Sequence, residues 1–332
     1  MIHDRYERIN ALSRAFGVIR QSADGLNVAV HCPNCHRSPT SDRTQKLKLA
    51  IRLDTGIYHC WICGIRGRSI ANLIRRIGVD NSNAVKLWPV TEQVRQLVQH
   101  EVTSNIELPY GFKLLAANYD DVRFRRVREY LQSRGLSISD MWRWRIGVSV
   151  DDQFNDRVIV PSFDSNGRLN YYTSRAVDDC TFPRYINASC EKNDICFNEL
   201  DIDWNDELLL TEGVFDVFST DDNAVPLLGN SLDDQSRLFN MITSHDTPIV
   251  IALDADAHHY TQRIAKLLYS YNIDVKILDV VGYKDIGVMP RSVVSDRRRT
   301  ARRWTPNVAL LDRITRIDVT RSRRVMQQHA SI

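Results

Sequence analysis

The chain has 332 residues, 43% of them hydrophobic, and a formal net charge of +3 at pH 7. This length predicts two or three domains, and the hydrophobic content suffices for packed cores. No apolar run approaches the roughly 18 residues of a membrane-spanning helix, so we expect no membrane partner. The charge is uneven, because residues 291–332 carry eleven arginines against three acids. This local excess indicates an anionic partner such as nucleic acid, which the net charge alone would not suggest.

Two C-x-x-C pairs are the first strong motif along the chain. They follow a segment, residues 1–27, whose apolar side chains have helical spacing, and they consist of Cys32, Cys35, Cys60 and Cys63. The pattern fits a structural Cys₄ zinc site, although the 24-residue gap slightly exceeds the usual ribbon spacing. Unpaired thiols or disulfides are the alternative, which the absence of a secretory signal disfavours. A flanking histidine could replace one cysteine as a ligand.

The segment between the two cysteine pairs alternates apolar and basic residues. Lys46, Lys48 and Arg52 fall on one face of the strand that this alternation predicts. We expect this basic face to follow phosphates and Tyr58, His59 or Trp61 to stack on a base. The alternative for Trp61 is that it covers the small core of the ribbon.

The middle of the chain has weaker patterns. A helix is predicted over residues 69–77 and ends at Gly78, and residues 79–107 have the composition of a linker. Residues 120–146 are predicted to be helical with an arginine-bearing outer face, and residues 156–200 to form short strands.

Residues 206–285 alternate apolar strand-like runs with helix-like segments, which indicates a parallel sheet. Glu212 and Asp216 follow one such run, and Asp254 and Asp256 follow another. Because the carboxyl ends of parallel strands meet at one edge, we expect these acids to lie close together. Clustered carboxylates repel and favour divalent cations with a preference for oxygen, such as Mg²⁺ or Mn²⁺. The alternative is a helix-start acid pair and two unrelated loop acids.

The order Glu212-Gly-x-x-Asp216, then Asp254-x-Asp256, resembles the Toprim domain of primases, topoisomerases and some nucleases. Together with the cysteine motif, the chain resembles the DnaG-type primases over roughly residues 28–288, and the four-cysteine version resembles the bacteriophage members. The segments that carry this resemblance are 32–35, 58–67, 157–161, 167–175, 183–187, 228–230 and 282–285. One departure is Gly287, where the family has a second acid in its last acidic motif.

The resemblance implies an α/β fold, α+β overall, with a zinc ribbon, a mixed primase core and a parallel-sheet Toprim domain. The implied division is 1–78 zinc-binding domain with an N-terminal helix, 79–107 linker, 108–205 N-terminal part of the RNA polymerase core, 206–290 Toprim domain and 291–332 basic C-terminal tail. It also implies a DNA primase that copies single-stranded DNA from ribonucleoside triphosphates in the cytoplasm, or in the host cytoplasm for a viral protein. Since no Walker A motif is present, any replicative helicase would be a separate chain.

Site roles follow from the same resemblance. One structural Zn²⁺ would bind the four cysteines, and catalytic Mg²⁺ or Mn²⁺ would bind Glu212, Asp254, Asp256 and Asp285. Asp216 would support these acids, and whether Glu212 binds metal or accepts a proton stays open. Contacts to triphosphate or template phosphate would come from Arg157, Arg175, Arg184 and Lys284.

Two other classes of protein share parts of this pattern. A Toprim nuclease or recombination mediator would carry the zinc motif and the acids but lack the segment 157–187. A non-catalytic zinc-dependent DNA-binding protein would have no use for clustered acids, because binding an anion does not favour them. A topoisomerase needs a further large domain with a nucleophilic tyrosine, for which the chain has no room.

Overall fold

A computed structural model describes residues 2–22, 25–35, 47–89, 106–220 and 223–314, with only the backbone of residues 2–4. Three five-stranded sheets organise these ranges. Two are antiparallel, and four strands of the third run parallel. The predicted mixed α/β fold class, with a ribbon and a parallel sheet, is confirmed. Within the described ranges, no helix combines the length and the hydrophobicity needed to cross a bilayer.

The first sheet is the ribbon that holds the cysteines. Its strands pair antiparallel in chain order. They are β1 (Arg20–Gln21), β2 (Asn27–Val30), β3 (Leu49–Arg52), β4 (Tyr58–Cys60) and β5 (Arg66–Gly67). Along β3 the side chains of Leu49 and Ile51 are buried and Arg52 is exposed, as the alternating pattern predicts.

Three helices cover the ribbon: α1 (Ile2–Phe16), α2 (Ile70–Arg76) and α3 (Ser82–Leu87). Ser69 caps α2 by accepting from the Asn72 amide, and Gly78 follows its end with φ +79°. The indole of Trp88 is buried and donates to the Leu53 carbonyl at 2.9 Å. Residues 79–89, assigned from the sequence to a linker, therefore pack onto the ribbon domain, because Trp88 supplies a large apolar surface that the small sheet alone cannot bury.

The second sheet has the strand order β10-β9-β8-β7-β6 and is antiparallel throughout. Its strands are β6 (Lys113–Leu114), β7 (Gly147–Val148), β8 (Arg157–Phe163), β9 (Leu169–Ala176) and β10 (Tyr185–Asn187). The predicted helical segment 120–146 is divided into a 3₁₀ turn (Val122–Phe124), α4 (Arg125–Ser133) and α5 (Ile138–Arg143). The break after α4 lies at Gly135, which has φ +78°.

The third sheet has the strand order β12-β11-β13-β14-β15. Its strands are β11 (Leu208–Thr211), β12 (Ala224–Pro226), β13 (Ile249–Ala252), β14 (Val275–Ile277) and β15 (Arg302–Arg303). Its helices are α6 (Val214–Val217), α7 (Arg237–His245), α8 (His258–Ser270), α9 (Arg291–Arg299) and a further helix over 306–314. Residues buried on both faces of β11 and β13 form its core, as expected for a covered parallel sheet.

The segment that the sequence assigned to a basic tail begins inside this domain. α9 contributes Val294 to a buried cluster, and β15 pairs antiparallel with β14. Arg298 of α9 forms an ion pair with Glu207 at 3.2 Å. Residues 291–303 therefore belong to the domain of the third sheet, because Val294 is buried there and β15 pairs with β14. Residues 315–332 lie outside the described ranges.

The ribbon domain lies against the amino edge of the third sheet. Arg76 forms an ion pair with Asp246, the residue after α7, and the Arg66 guanidinium lies 4.3 Å from the ring centre of Tyr271, after α8. Helices between parallel strands return the chain to the amino end of the next strand, so both contacts are at that edge. The acids of the sequence motif follow the opposite, carboxyl edge.

Candidate functional site

The four cysteines of the two C-x-x-C pairs converge at one end of the ribbon. Their sulfur atoms all lie within 4.8 Å of one another, with 3.7 Å between Cys32 and Cys63 and 3.7 Å between Cys35 and Cys60. Gly64, with φ +75°, closes the second turn, and its backbone N–H donates a hydrogen bond to the Cys60 carbonyl. A tetrahedral zinc ion with bonds of about 2.3 Å to sulfur separates its ligands by roughly 3.8 Å. The quartet therefore fits a zinc ion without rearrangement.

The electrostatics of the thiols agree with a cation at this position. Burial raises the pKa of Cys32 well above its usual range, and burial together with hydrogen bonds from neighbouring thiols raises that of Cys35 to about 11. For Cys63, hydrogen bonds from the Ile65 amide and the Asn34 side chain outweigh burial and lower the pKa. The cluster as a whole resists carrying four negative charges, so zinc binding must displace protons and would link ion binding to folding.

The acids of the second motif meet at the carboxyl edge of the third sheet. Glu212 follows β11 and Asp254 follows β13, and these strands are neighbours with Thr211 paired to Ala252. Asp216 lies in α6 and Asp285 in the loop after β14. The sequence prediction that adjacent strand ends bring these acids together is consistent with this topology.

The mutual influence of the acids is visible in their pKa values. Burial, followed by the charges of Asp254, Asp256 and Asp285, raises the pKa of Glu212. Burial and the charges of Asp285 and Asp256 likewise raise the pKa of Asp254, and Lys284 partly opposes this.

Asp216 shows the largest effect among these acids. Burial raises its pKa to about 7, with further contributions from the charges of Asp254, Asp285 and Glu212, although the Gly213 amide donates to it at 2.8 Å. This carboxyl group titrates near neutrality because both burial and the neighbouring acids disfavour its ionised form.

The carboxylates are close enough to influence one another's pKa values, but they do not form a compact set of metal ligands. Among the described residues, the cysteine quartet is the one group of three or more ligand side chains whose atoms lie within 4.8 Å of one another. Hard cations such as Mg²⁺ accept few protein carboxylates and keep several waters or substrate oxygens. The open arrangement around Glu212, Asp254 and Asp285 suits that type of binding, in which side-chain rotation completes the coordination.

The departure at Gly287 has a local cause. A Cβ atom at this position would lie 2.7 Å from Asp216 Oδ1 and 3.3 Å from Asp285 Oδ1. The Gly287 carbonyl also accepts from the Ser219 hydroxyl at 3.1 Å. Glycine at this position thus makes room for the carboxylate of Asp216. This conflict between positions 216 and 287 cannot be read from spacing along the chain.

Arg157 is buried, with 2% of its surface exposed. Its terminal nitrogens donate to the carbonyls of Pro183 at 2.6 Å and Arg184 at 3.3 Å. In this conformation the guanidinium is occupied by the loop, so the predicted contact of Arg157 with substrate phosphate stays a prediction. Arg157 fixes the loop between β9 and β10.

Arg175 lies in a cluster of aromatic rings next to the carboxylate edge. It donates to the Tyr185 hydroxyl at 2.7 Å, and its guanidinium carbon lies 4.9 Å from the ring centre of Phe215, the neighbour of Asp216. Tyr185 and Phe215 are also in contact, with ring centres 6.2 Å apart. Sequence reasoning missed both rings: Tyr185 lies inside a matched segment, whereas no sequence signal marks Phe215.

The other predicted phosphate-binding residues have exposed or partly paired side chains. Arg184 pairs with Asp179 at 3.3 Å across an exposed surface, and Lys284 lies close enough to Asp254 to lower its pKa. On the ribbon, Lys48 is exposed and Arg52 pairs with Asp54 at 2.8 Å. Lys46 lies outside the described residues.

Trp61 projects from the ribbon. Its side chain is 73% exposed and meets the His59 ring edge-on at 4.5 Å between centres. The alternative that Trp61 covers the ribbon core is therefore wrong, because the core is closed by buried residues such as Leu49 and Tyr58. An exposed, edge-supported indole is available to a partner.

Comparison with curated proteins finds bacterial DNA primases. The DNA primase of Clostridium acetobutylicum is 23% identical over an alignment of 332 residues. The alignment covers 80% of this chain and 52% of that protein. The DNA primase of Synechococcus elongatus is 28% identical over 195 residues, covering 51% of this chain and 28% of that protein. The chain is homologous to DNA primases, and it spans about half the length of the first of these relatives and less of the second. No family model matches the chain.

Solved primase structures resemble the fold. The zinc-binding and RNA polymerase domains of the Aquifex aeolicus primase match with a TM-score of 0.49 and 16% identity, covering 96% of this chain and 90% of that one. A DnaG primase catalytic domain bound to single-stranded DNA matches with a TM-score of 0.47 and 15% identity, covering 64% of this chain and 80% of that one.

Proposed function

We propose that this chain is a DNA primase that synthesises short RNA primers on single-stranded DNA by nucleotidyl transfer. The observation that carries the proposal is the carboxylate edge, where burial and the charges of neighbouring acids raise the pKa values of Glu212, Asp216 and Asp254 beside an arginine-bearing surface. Homology to DNA primases supports the same reaction. The bacteriophage-like character remains a prediction from the four-cysteine motif.

The proposed catalytic site uses the acids as ligands of Mg²⁺ or Mn²⁺. When bound, such ions activate the attacking hydroxyl and neutralise the leaving pyrophosphate. Glu212, Asp254, Asp256 and Asp285 would hold them, since carboxylate oxygens suit hard cations. Burial and the neighbouring acids raise the pKa of Glu212, which favours proton acceptance as a second role, and both roles stay open for it.

The positive side chains next to this edge would bind the nucleotide and the template. Lys284, close to Asp254, is in position to contact triphosphate. Arg175 would act mainly through the Tyr185–Phe215 aromatic cluster, since its guanidinium already bonds to Tyr185. Arg184 is exposed and would exchange its surface ion pair for a phosphate at small cost, because exposed pairs contribute only about 0–1 kcal/mol.

The ribbon would contribute to template binding from the zinc-bound state. Lys48 and Arg52 would follow the phosphate backbone, and Trp61 would stack on a base. The same role for Lys46 stays a prediction, because this residue lies outside the described ranges. The substrates would be ribonucleoside triphosphates, and the replicative helicase would be a separate protein. The protein would act in the cytoplasm, or in the host cytoplasm if it is viral.

The test is primer synthesis on single-stranded DNA with labelled ribonucleotides, with and without Mg²⁺. We expect short RNA products that depend on Mg²⁺, on template and on Asp254. A matched assay with labelled single-stranded DNA separates the nuclease alternative. Cleavage of that DNA without RNA synthesis would replace the proposal by a Toprim nuclease, and binding without either reaction would favour a non-catalytic DNA-binding protein.

A further inference from the structure

Phe182 is the most exposed large hydrophobic side chain of the described residues, with 94% of its surface accessible. It lies in the loop that joins β9 to β10. A single exposed apolar side chain is common and needs no explanation by itself. Two features distinguish Phe182: hydrogen bonds hold its loop in place, and the strand after the loop leads to the carboxylate edge.

The loop is held from both sides. At its base, the Ala176 amide donates to the Arg184 carbonyl at 3.0 Å, and inside it Asp178 accepts from the amides of Cys180 and Thr181 at 3.0 and 2.7 Å. The buried Arg157 donates to the carbonyls of Pro183 and Arg184, directly after Phe182. Burying a guanidinium costs free energy, because the charge loses its hydration. The hydrogen bonds to the two carbonyls offset this cost and orient the loop. Phe182 is therefore presented on a preorganised support.

The strand that follows the loop leads to the carboxylate edge. Tyr185 comes three residues after Phe182, at most roughly 10 Å along an extended chain. Its ring contacts Phe215, and the charge of Asp216 influences its pKa. Arg184 lies between the two aromatic residues and is 54% exposed. Along the chain, Phe182, Arg184 and Tyr185 thus lead from the exposed loop toward Phe215 and the acids.

We propose that Phe182 is a stacking platform for a base of single-stranded nucleic acid, and that Arg184 contacts the adjacent phosphate. This assignment rests on the proposed function, because it takes the strand to be the template or primer that reaches the carboxylate edge. Aromatic faces flanked by positive charge are the common means of binding single strands without reading their sequence. An apolar protein partner is disfavoured, since two charged side chains, Asp179 and Arg184, are exposed in the same loop as Phe182.

The test uses fluorescence anisotropy with a labelled oligothymidine of about ten nucleotides and an abasic oligonucleotide of the same length. We expect Phe182→Ala to weaken oligothymidine binding roughly 5- to 100-fold, Phe182→Trp to retain it and Phe182→Leu to behave like Ala. Binding of the abasic oligonucleotide should hardly change. The slope of log affinity against log salt should stay constant for Phe182→Ala and fall by about 0.7 for Arg184→Ala.

Folding is a minor concern, because the exposed ring makes little contact, and equal unfolding midpoints of the variants would verify this. Unchanged oligothymidine affinity in Phe182→Ala overturns the proposal, as does an equal loss for the abasic oligonucleotide. Either outcome leaves the proposed function intact provided that the wild type still binds DNA and synthesises RNA in the same preparation. Failure of the wild type in those assays would instead refute the proposed function itself.

Discussion

The titration of Asp216 gives a quantitative test of the carboxylate edge without any assumption about the reaction. The pKa of this side chain is about 7 in the folded protein, whereas an unfolded chain has an ordinary value near 3.9. Between these values the folded state keeps a proton that the unfolded state has lost. The free energy of unfolding contributed by this group therefore falls as pH rises through that window and levels off above about pH 7. The full difference of about three pKa units corresponds to roughly 4 kcal/mol.

We expect Asp216→Asn to remove this dependence, because asparagine resembles the protonated acid in shape and carries no charge. From about pH 5.5 to about pH 8.5, the wild type should lose roughly 2 kcal/mol of unfolding free energy relative to the variant. The measurement is chemical denaturation across this range in buffers without added divalent cations. Chelators must be avoided, since they would strip zinc from the cysteine cluster, and zinc content is checked before each series.

Added Mg²⁺ provides the control for this prediction. A cation near Asp254 and Asp285 would offset the charges that raise the pKa of Asp216, so the difference between wild type and variant should shrink. Parallel pH profiles of the two proteins without cations would refute the argument, because they would mean that Asp216 is ionised throughout. A variant that is less stable than the wild type at about pH 8.5 would point to a structural role for the charge at the start of α6.

Two further predictions concern the proposed ligands. Asp254→Asn should reduce dinucleotide synthesis at least about a hundredfold while the fold and DNA binding persist, because the acid serves the reaction; near-normal synthesis in Mg²⁺ would place the site elsewhere. Cys60→Ser should lose the zinc ion and unfold the ribbon while the third sheet stays folded, as measured by elemental analysis and limited proteolysis. Cys180→Ser, at an exposed thiol away from the cluster, is the matched control, and zinc retained in both variants would contradict a four-cysteine site.

The two motifs were predictable because their geometry is local. Each cysteine pair forms its own turn, and the acids follow directly on apolar strands, so spacing along the chain indicates where they lie. The alternation of strands and helices over 206–285 is equally local, and the structure forms four strands, β11 to β14, within this range.

The roles of the arginines were not predictable in the same way. Arg157 and Arg298 each carry the charge expected of a phosphate ligand, but both are largely buried and pair with carbonyl or carboxylate groups distant in sequence. Whether an arginine faces solvent depends on tertiary packing, which composition does not reveal. The same holds for Trp88, whose burial turns an apparent linker into part of the ribbon domain.

Gly287 lies in a local sequence motif, but its role depends on tertiary packing. Substitutions at Gly287 therefore provide a further test of the site. The family places an acid at this position, but here any Cβ would lie 2.7 Å from Asp216 Oδ1. We expect Gly287→Ala to cost roughly 1–3 kcal/mol of unfolding free energy, as overpacking usually does, and to reduce RNA synthesis by displacing Asp216. Gly229→Ala is the control, since a Cβ at Gly229 meets no atom within 4 Å.

Gly287→Asp should be more harmful than Gly287→Ala, although it restores the acid of the family pattern. It adds a sixth carboxylate to a site that already has five, and a like-charged pair at about 4 Å would cost roughly 4 kcal/mol at an effective dielectric constant near 20. It also requires the space that Asp216 occupies. Stabilisation by Mg²⁺, followed as the unfolding midpoint against ion concentration, should therefore not strengthen in Gly287→Asp. Stronger stabilisation of Gly287→Asp by Mg²⁺, with unchanged stability in the absence of the ion, would show that Asp216 can move aside. The position of Asp216 would then not be the reason for glycine at position 287.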